Sequence, residues 1–462
     1  MLSTSHAPAE PAISRSAGDA PKLVPGSLPD RGLPGMAAGR ASRLAWLDAL
    51  RGIAALCVVY QHFGVRVFPE VHAIVYRAFD PGLYGVLVFF LISGYIVPAS
   101  LERKGSVRSF WISRLFRLFP LFGFVIAITL VLNLLGLASL RGTSQNVAAS
   151  VLSHLMMLSD LLGTNNVLVV IWTLSYEMVF YLLLTALYTV RVHQRSGTFA
   201  LTFGAGTLLF GGTLPTIWLS DHTVGPTAIA LMSDVLVLAG LAAAVTGRRR
   251  LSMLGAWLAA GTGLILLVFN ERRFAYEGLT ILALMFTGTL LYRAQQGQVS
   301  RRKAVTLAAA VFAAAIGSGA WHIPAVTGAA DAGRQQIEWV VSVALAGLTF
   351  AAGLALKDMR VPRVLAWLGL VSYSVYLLLP VLLDLYDSIP FGPSFRPDAW
   401  LQAGLTVAFL GALLACAAAT YSLVEAPMQG LGRRVAARLD RPPGSGPARA
   451  RAVPATAQAS SG

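Results

Sequence analysis

The chain is a nearly unbroken series of apolar segments, each about long enough to cross a bilayer, joined by short polar or basic loops. A crossing needs about 20 mostly apolar residues in helical form, because in lipid the backbone must satisfy its own hydrogen bonds. Such segments lie at 45–65, 82–101, 118–137, 169–190, 198–219, 226–246, 251–269, 276–293, 304–321, 336–356, 364–385 and 401–424. They predict an all-α, polytopic integral membrane bundle of about 10–12 transmembrane helices. A shorter apolar stretch at 147–162 carries His154 and Asp160 and is expected to be interfacial or re-entrant. Only 12% of the residues are charged and 56% are apolar, against roughly 25% charged in a soluble domain. That excludes a soluble globular enzyme, a disordered protein and a disulfide scaffold. Cys57 and Cys416 fall inside apolar runs, where a thiol packs as a small hydrophobe. No metal-ligand spacing is present, so no metal is expected.

Residues 1–43, rich in Pro, Gly, Ser and Ala, and the basic tail 431–462 have compositions expected to be disordered. The membrane domain is expected over 44–430. The net charge of +15 does not point to nucleic acid; it reflects Lys and Arg gathered in cytoplasmic loops. With both ends cytoplasmic, all but Arg66, Arg77, Arg141, Arg272, Arg273, Arg334 and Arg396 fall inside, as the positive-inside rule requires.

Ionisable groups within spans cost roughly 2.5–3.5 kcal/mol each at a helix centre and are functional candidates by default. The first span holds Asp48, Arg51 and His62. Eleven residues at about 100° each bring Arg51 and His62 to within about 20° of one face, about 16 Å apart along the axis. Arg51 then lies near the cytoplasmic surface, suited to a phosphate, and His62 lies deeper, suited to act as base or nucleophile. The same residues also fit an interfacial anchor and a helix-to-helix hydrogen bond. In the second span Gly85, Phe89 and Ser93 form one stripe whose small residues permit close helix approach. Arg114 and Arg117, at i and i+3, read as a solvated basic flank or as an anion clamp. Glu177 needs a partner within the bilayer: it orients His62, binds an acceptor hydroxyl or pairs with an arginine, and Tyr181 follows one turn later on its face. Asp234 and Asp384 are lesser candidates.

Several of these motifs, in order, resemble the acyltransferase type 3 family of membrane proteins that O-acylate bacterial cell-surface carbohydrates. Arg51 and His62 match its basic residue, ten residues, then His. Gly85, Phe89, Phe90, Ser93 and Gly94 match GxxxFFxxSG, and Arg114 and Arg117 match RxxR. Trp172 to Tyr181 looks like its tryptophan-led motif, in a version similar to exopolysaccharide O-acyltransferases. LGLVSYSVYLLLP and YSLVEAP resemble its two late motifs, so the resemblance covers about residues 44–430. Leu379 stands where the late motif often has His, and Ala49 replaces a frequent Gly.

The resemblance implies a bacterial inner-membrane enzyme that takes an acyl group, acetyl for preference, from cytoplasmic acyl-CoA. The CoA phosphates would lie near Arg51, Arg114 and Arg117, with His62 and Glu177 catalytic. Asp48, Ser93, Trp172 and Tyr181 would serve as substrate-contacting or structural residues. The acceptor would be an exopolysaccharide, lipopolysaccharide or similar carbohydrate, with a macrolide or lipid as the alternative. The chain is expected to lack the soluble hydrolase-like domain that some relatives append, and if that domain completes transfer in them, transfer here is expected to be direct or to pass through a partner protein. The rival from another class is a secondary transporter or exporter. Against it, no repeat relates 45–246 to 251–424, and the intramembrane ionisable groups cluster in the first third.

Overall fold

A computed structural model describes residues 34–137, 147–164, 166–327, 329–389 and 398–440. The expectations for the outer parts of both tails, and the loop positions of Arg141 and Arg396, lie outside the described residues. Two units are distinguished, residues 1–42 and residues 43–462; of the first, only the opening turns of α1 are described.

All described secondary structure is helical: α1 (Pro34–Val67), α2 (Pro69–Ala78), α3 (Pro81–Lys104), α4 (Val107–Leu134), α5 (Val147–Leu155), α6 (Trp172–Thr189), α7 (Ser196–Phe210), α8 (Trp218–His222), α9 (Pro226–Ala244), α10 (Arg249–Phe269), α11 (Ala275–Gln295), α12 (Arg301–Thr327), α13 (Ala329–Ala355), α14 (Arg363–Asp387), α15 (Ala399–Thr420) and α16 (Ala426–Leu439). A 3-10 turn, Val169–Ile171, leads into α6, and a π turn, Tyr421–Glu425, joins α15 to α16. Among the described residues, 10 helices are long and apolar enough to cross a membrane. Two of the expected spans are not among them. The apolar stretch at 198–219 yields only the 15-residue α7 before turns set in. The first span lies in α1, where Asp48 and Arg51 interrupt the apolar run. Residues 147–162 give the nine-residue α5 and a string of turns, as a stretch too short to span requires.

Two boundaries differ from expectation. α1 begins at Pro34, inside the segment expected to be disordered, and α16 carries helix through Leu439, inside the expected tail. α16 is amphipathic, and its Gly432 packs against Phe116 of α4. For α16 the bundle supplies the apolar partner that composition alone could not show.

Local signals explain the helix ends that frame the site. Asp80 caps α3 by accepting from the Leu83 amide at 2.9 Å, with Pro81 in the first turn. Gly105 closes α3 in the left-handed conformation (φ 65°).

α6 and α11 are the most buried spans, while α4, α9, α12 and α15 turn apolar faces such as Leu130, Val235, Val305 and Val407 outward. α1 is enclosed by other helices. Trp46 meets Tyr95 of α3 and Phe350 of α13 edge-on, and Phe63 stacks on Phe409 of α15 at 4.0 Å. Gly369 of α14 packs directly on the Asp48 backbone, and Gly85 of α3 packs on that of Ala54. Although Leu56 and Val65 stay exposed, the faces of α1 that make these contacts meet protein rather than lipid, a setting in which Asp48, Arg51 and His62 can be carried.

Candidate active site

Two cavities lie against α1, and the spacing read from the sequence assigns one candidate residue to each. The first, of about 80 Å³, is lined by Arg51, Ser93, Arg117, Glu177 and Tyr373, with Phe89 and Phe90 as apolar wall. The second, of about 330 Å³, is lined by His62 and Gln61, by Trp172, and by Arg273, Glu277, Arg334 and Glu338. Val86 of α3 and Tyr376 of α14 line both. A third, of about 40 Å³, lies between His62, Arg66 and Asp384.

In the first cavity Arg51 faces Asp48 at 4.0 Å, an i,i+3 pair on one helix. Glu177 accepts from the Tyr181 hydroxyl and, at 3.4 Å, from Ser93. Arg117 lines the cavity, but Arg114 does not. Arg114 is buried behind Tyr181, 3.5 Å from its hydroxyl, with its guanidinium over the rings of Phe110 and Tyr181. The expected clamp therefore divides: Arg51 and Arg117 face open space, and Arg114 supports the tyrosine that supports Glu177. A cavity with two guanidiniums at its wall and an apolar floor can hold an anionic group at one end and a short apolar group at the other.

The second cavity is a chamber of aromatic faces and paired charges. Arg273 donates to Glu277 at 2.6 Å and stacks 3.7 Å from the centre of the Trp172 ring. Arg334 donates to Glu338 at 2.5 Å and stands 5.7 Å from the Tyr76 ring centre. Both are i,i+4 pairs, so each charge is met by its own neighbour one turn away. Burial alone would lower the Arg273 pKa, but Glu277 and Asp160 outweigh it and hold the guanidinium charged. Burial raises Asp80, while the Leu83 and Gly82 amides oppose the rise.

Behind Arg273 the Tyr176 hydroxyl lies 3.1 Å from Asp160 Oδ2 and 3.2 Å from Glu271 Oε2. The phenol has one proton to donate and can serve only one of the two carboxylates at a time. Burial pushes both acids up, and Glu271, 1% exposed, well above the usual carboxylate range. The Arg273 Nε, 3.8 Å from Asp160, opposes the rise there.

His62 and Glu177, both expected to be catalytic, are placed at different cavities. His62 shares the larger cavity with Asp80, Glu277 and Glu338, and the small third cavity with Asp384. The other late-motif residues are structural or form walls. Leu379 is fully buried, and Glu425 in the π turn accepts from Ser374 at 3.1 Å. Tyr376 donates to the Val170 carbonyl at 2.8 Å. The sequence reading passed over Tyr376 and the Arg273–Glu277 and Arg334–Glu338 pairs. The i,i+4 spacing of the two pairs was the available signal.

A family model described as an acyltransferase domain, Acyl_transf_3, matches residues 44–423. Nodulation protein 10 of Rhizobium leguminosarum bv. viciae is 31% identical over 137 residues, 26% of this chain and 37% of that protein. Acyltransferase MdmB of Streptomyces mycarofaciens is 31% identical over 152 residues, 31% of this chain and 38% of its own length. The chain thus spans well under half the length of each of these two relatives. No solved structure matches significantly. With the family model covering residues 44–423, most of the chain, the chain belongs to the Acyl_transf_3 acyltransferase family.

Proposed function

We propose that the protein transfers a short acyl group, acetyl for preference, from cytoplasmic acyl-CoA to a hydroxyl of a cell-surface or exported carbohydrate, in the bacterial inner membrane. The observation that carries this reading is that one face of α1 presents Arg51 to one cavity and His62 to the next. The smaller cavity is the donor site. Arg51 and Arg117 bind CoA phosphate, and the thioester points along α1 towards Val86 and Tyr376. The larger cavity is the acceptor site. Sugar rings offer C–H faces to Trp172 and Tyr76 and hydroxyls to Gln61 and the carboxylates, the mixed lining that polar ligand pockets use. Its charges are already paired, which suits an uncharged polyol.

His62 removes the acceptor proton as the hydroxyl attacks the thioester, or first takes the acyl group as an acyl-imidazole. In this reading Asp384, which lines the small third cavity with His62, orients the imidazole. Glu177, tied to Ser93 and Tyr181, shapes the donor site. Purified protein supplied with acetyl-CoA and an extract of the host's envelope glycans should release free CoA and yield an O-acetylated product. His62→Ala should abolish both while inserting normally into the membrane; retained transfer would overturn the assignment. Acylated protein trapped without acceptor identifies the two-step route.

A further inference from the structure

We propose that Val86 and Tyr376 form a fixed throat between the two cavities and set the largest acyl group that is transferred. The proposal rests on the acyl-transfer reading above. In that reaction the acyl carbonyl carbon exchanges its bond to the CoA sulfur for a bond to the acceptor oxygen, directly or through the His62 nitrogen. The hydroxyl proton passes by way of the imidazole to the departing thiolate, so the products are the ester and the CoA thiol. The acyl carbon must therefore reach from the Arg51 cavity to the His62 chamber, and Val86 and Tyr376 are the residues that line both.

Both are held where they are. The Tyr376 hydroxyl donates to the Val170 carbonyl at 2.8 Å and lies 3.0 Å from the Thr173 hydroxyl, and its ring meets Phe89 edge-on. Its phenol is a braced wall rather than a swinging door. Val86 follows Gly85, at which a Cβ would come within 2.6 Å of the Ala54 carbonyl oxygen. α3 is pressed against α1 at that level, and Val86 cannot recede.

Size points the same way. The donor cavity, at about 80 Å³, has roughly half the 150 Å³ of a cavity that holds benzene. Its small volume favours a short acyl group over a long chain. The chamber beyond is about 330 Å³, so the limit lies on the donor side and at the throat.

The test compares rates of free-CoA release and product acylation from acetyl-CoA and butyryl-CoA, using full-length protein in lipid nanodiscs with the envelope-glycan extract as acceptor. Val86→Ala should raise the butyryl-to-acetyl ratio by about tenfold or more, since one methylene in an apolar site is worth roughly 10–200-fold. Val86→Ile should lower it. Val88→Ala, the same change on the same helix but away from both cavities, should leave it unchanged. Either Val86 variant decides alone if the other fails to insert. A ratio unmoved at residue 86, or moved equally at residue 88, overturns the throat. If wild-type protein transfers neither acyl group, the acyl-transfer reading itself fails, a result distinct from normal transfer with an unmoved ratio.

Discussion

Gly94 closes the GxxxFFxxSG stripe of α3, and replacing it with alanine tests whether that glycine serves packing. A Cβ at Gly94 would lie 2.6 Å from the Met285 carbonyl carbon and 2.7 Å from its Cα, and closer still to its oxygen. Ordinary contacts begin at about 3.4 Å, so α11 would have to withdraw by the better part of an ångström. It is poorly placed to do so. Gly288 lies as tightly against the Leu91 carbonyl, and Thr289 donates to the Gly94 carbonyl at 2.8 Å. Overpacking costs about 1–3 kcal/mol, and a clash with rigid backbone belongs at the upper end. The helix preference of alanine over glycine returns about 0.5–1 kcal/mol, leaving a net loss of about 2 kcal/mol. Gly123 of α4 is the internal control: nothing lies within 4 Å of a Cβ there, so Gly123→Ala should gain about 0.5–1 kcal/mol. Thermal unfolding of both variants in detergent, followed by tryptophan fluorescence, should place their midpoints on opposite sides of wild type. A Gly94→Ala protein that melts with or above wild type would refute the packing argument.

Arg117→Ala should raise the KM for acetyl-CoA roughly 10–100-fold, the worth of a charge-assisted hydrogen bond at about 1.5–3 kcal/mol. Arg114→Ala should instead lower the melting temperature, because Arg114 braces Tyr181 away from the cavity. Reversed roles in donor titrations and melts would contradict the division of the pair. Asp384→Asn should lower kcat on the order of 10²-fold with KM little changed, a loss within the range of general-base catalysis; an unchanged kcat removes Asp384 from the reaction. Burial holds the Glu271 pKa in the fold well above its ordinary value of 4.5. The folded chain therefore holds more protons than the unfolded one above that pH, and stability should fall as pH rises above the ordinary carboxylate range. Glu271→Gln should flatten that fall in melts taken across the range, and an identical slope in both proteins would show that Glu271 is charged in the fold.

The sequence made Arg51 and His62 legible because both lie on one continuous helix, where 11 residues fix both rotation and rise. Glu177 was not legible in the same way. Its depth relative to α1 depends on how far α6 slides past its neighbours, which no spacing within α6 encodes, and α6 delivers it to Ser93 and Tyr181. Arg114 and Arg117 show the limit within a single helix. Three residues leave about 60° between side chains, close enough to share a face and far enough for one to enter the cavity while the other packs behind Tyr181. Trp172 was visible as a motif residue, but its partner Arg273 comes from another helix-to-helix turn, and only the fold brings them to 3.7 Å. The fold class was legible because bilayer thickness dictates segment length. The end of α16 was not, because composition cannot report the neighbours that stabilise a helix.

The placement of charge around α1 follows from the task proposed for it. An enzyme that takes its donor from one side of a membrane and its acceptor from the other needs polar groups deep in the bundle, where each unpaired charge is costly. The bundle meets that cost differently at the two ends. Around the larger chamber the arginines and glutamates arrive already paired one turn apart, so an entering polyol displaces no ion pair. At the smaller cavity Arg51 is only loosely matched by Asp48 at 4.0 Å, and Arg117 lines open space, so cationic character is kept for an anionic ligand. A secondary transporter needs one site that opens alternately to either side. Two sites of unlike charge, parted by a braced valine and tyrosine, instead suit a protein that passes a small group through a wall while both larger substrates stay on their own sides.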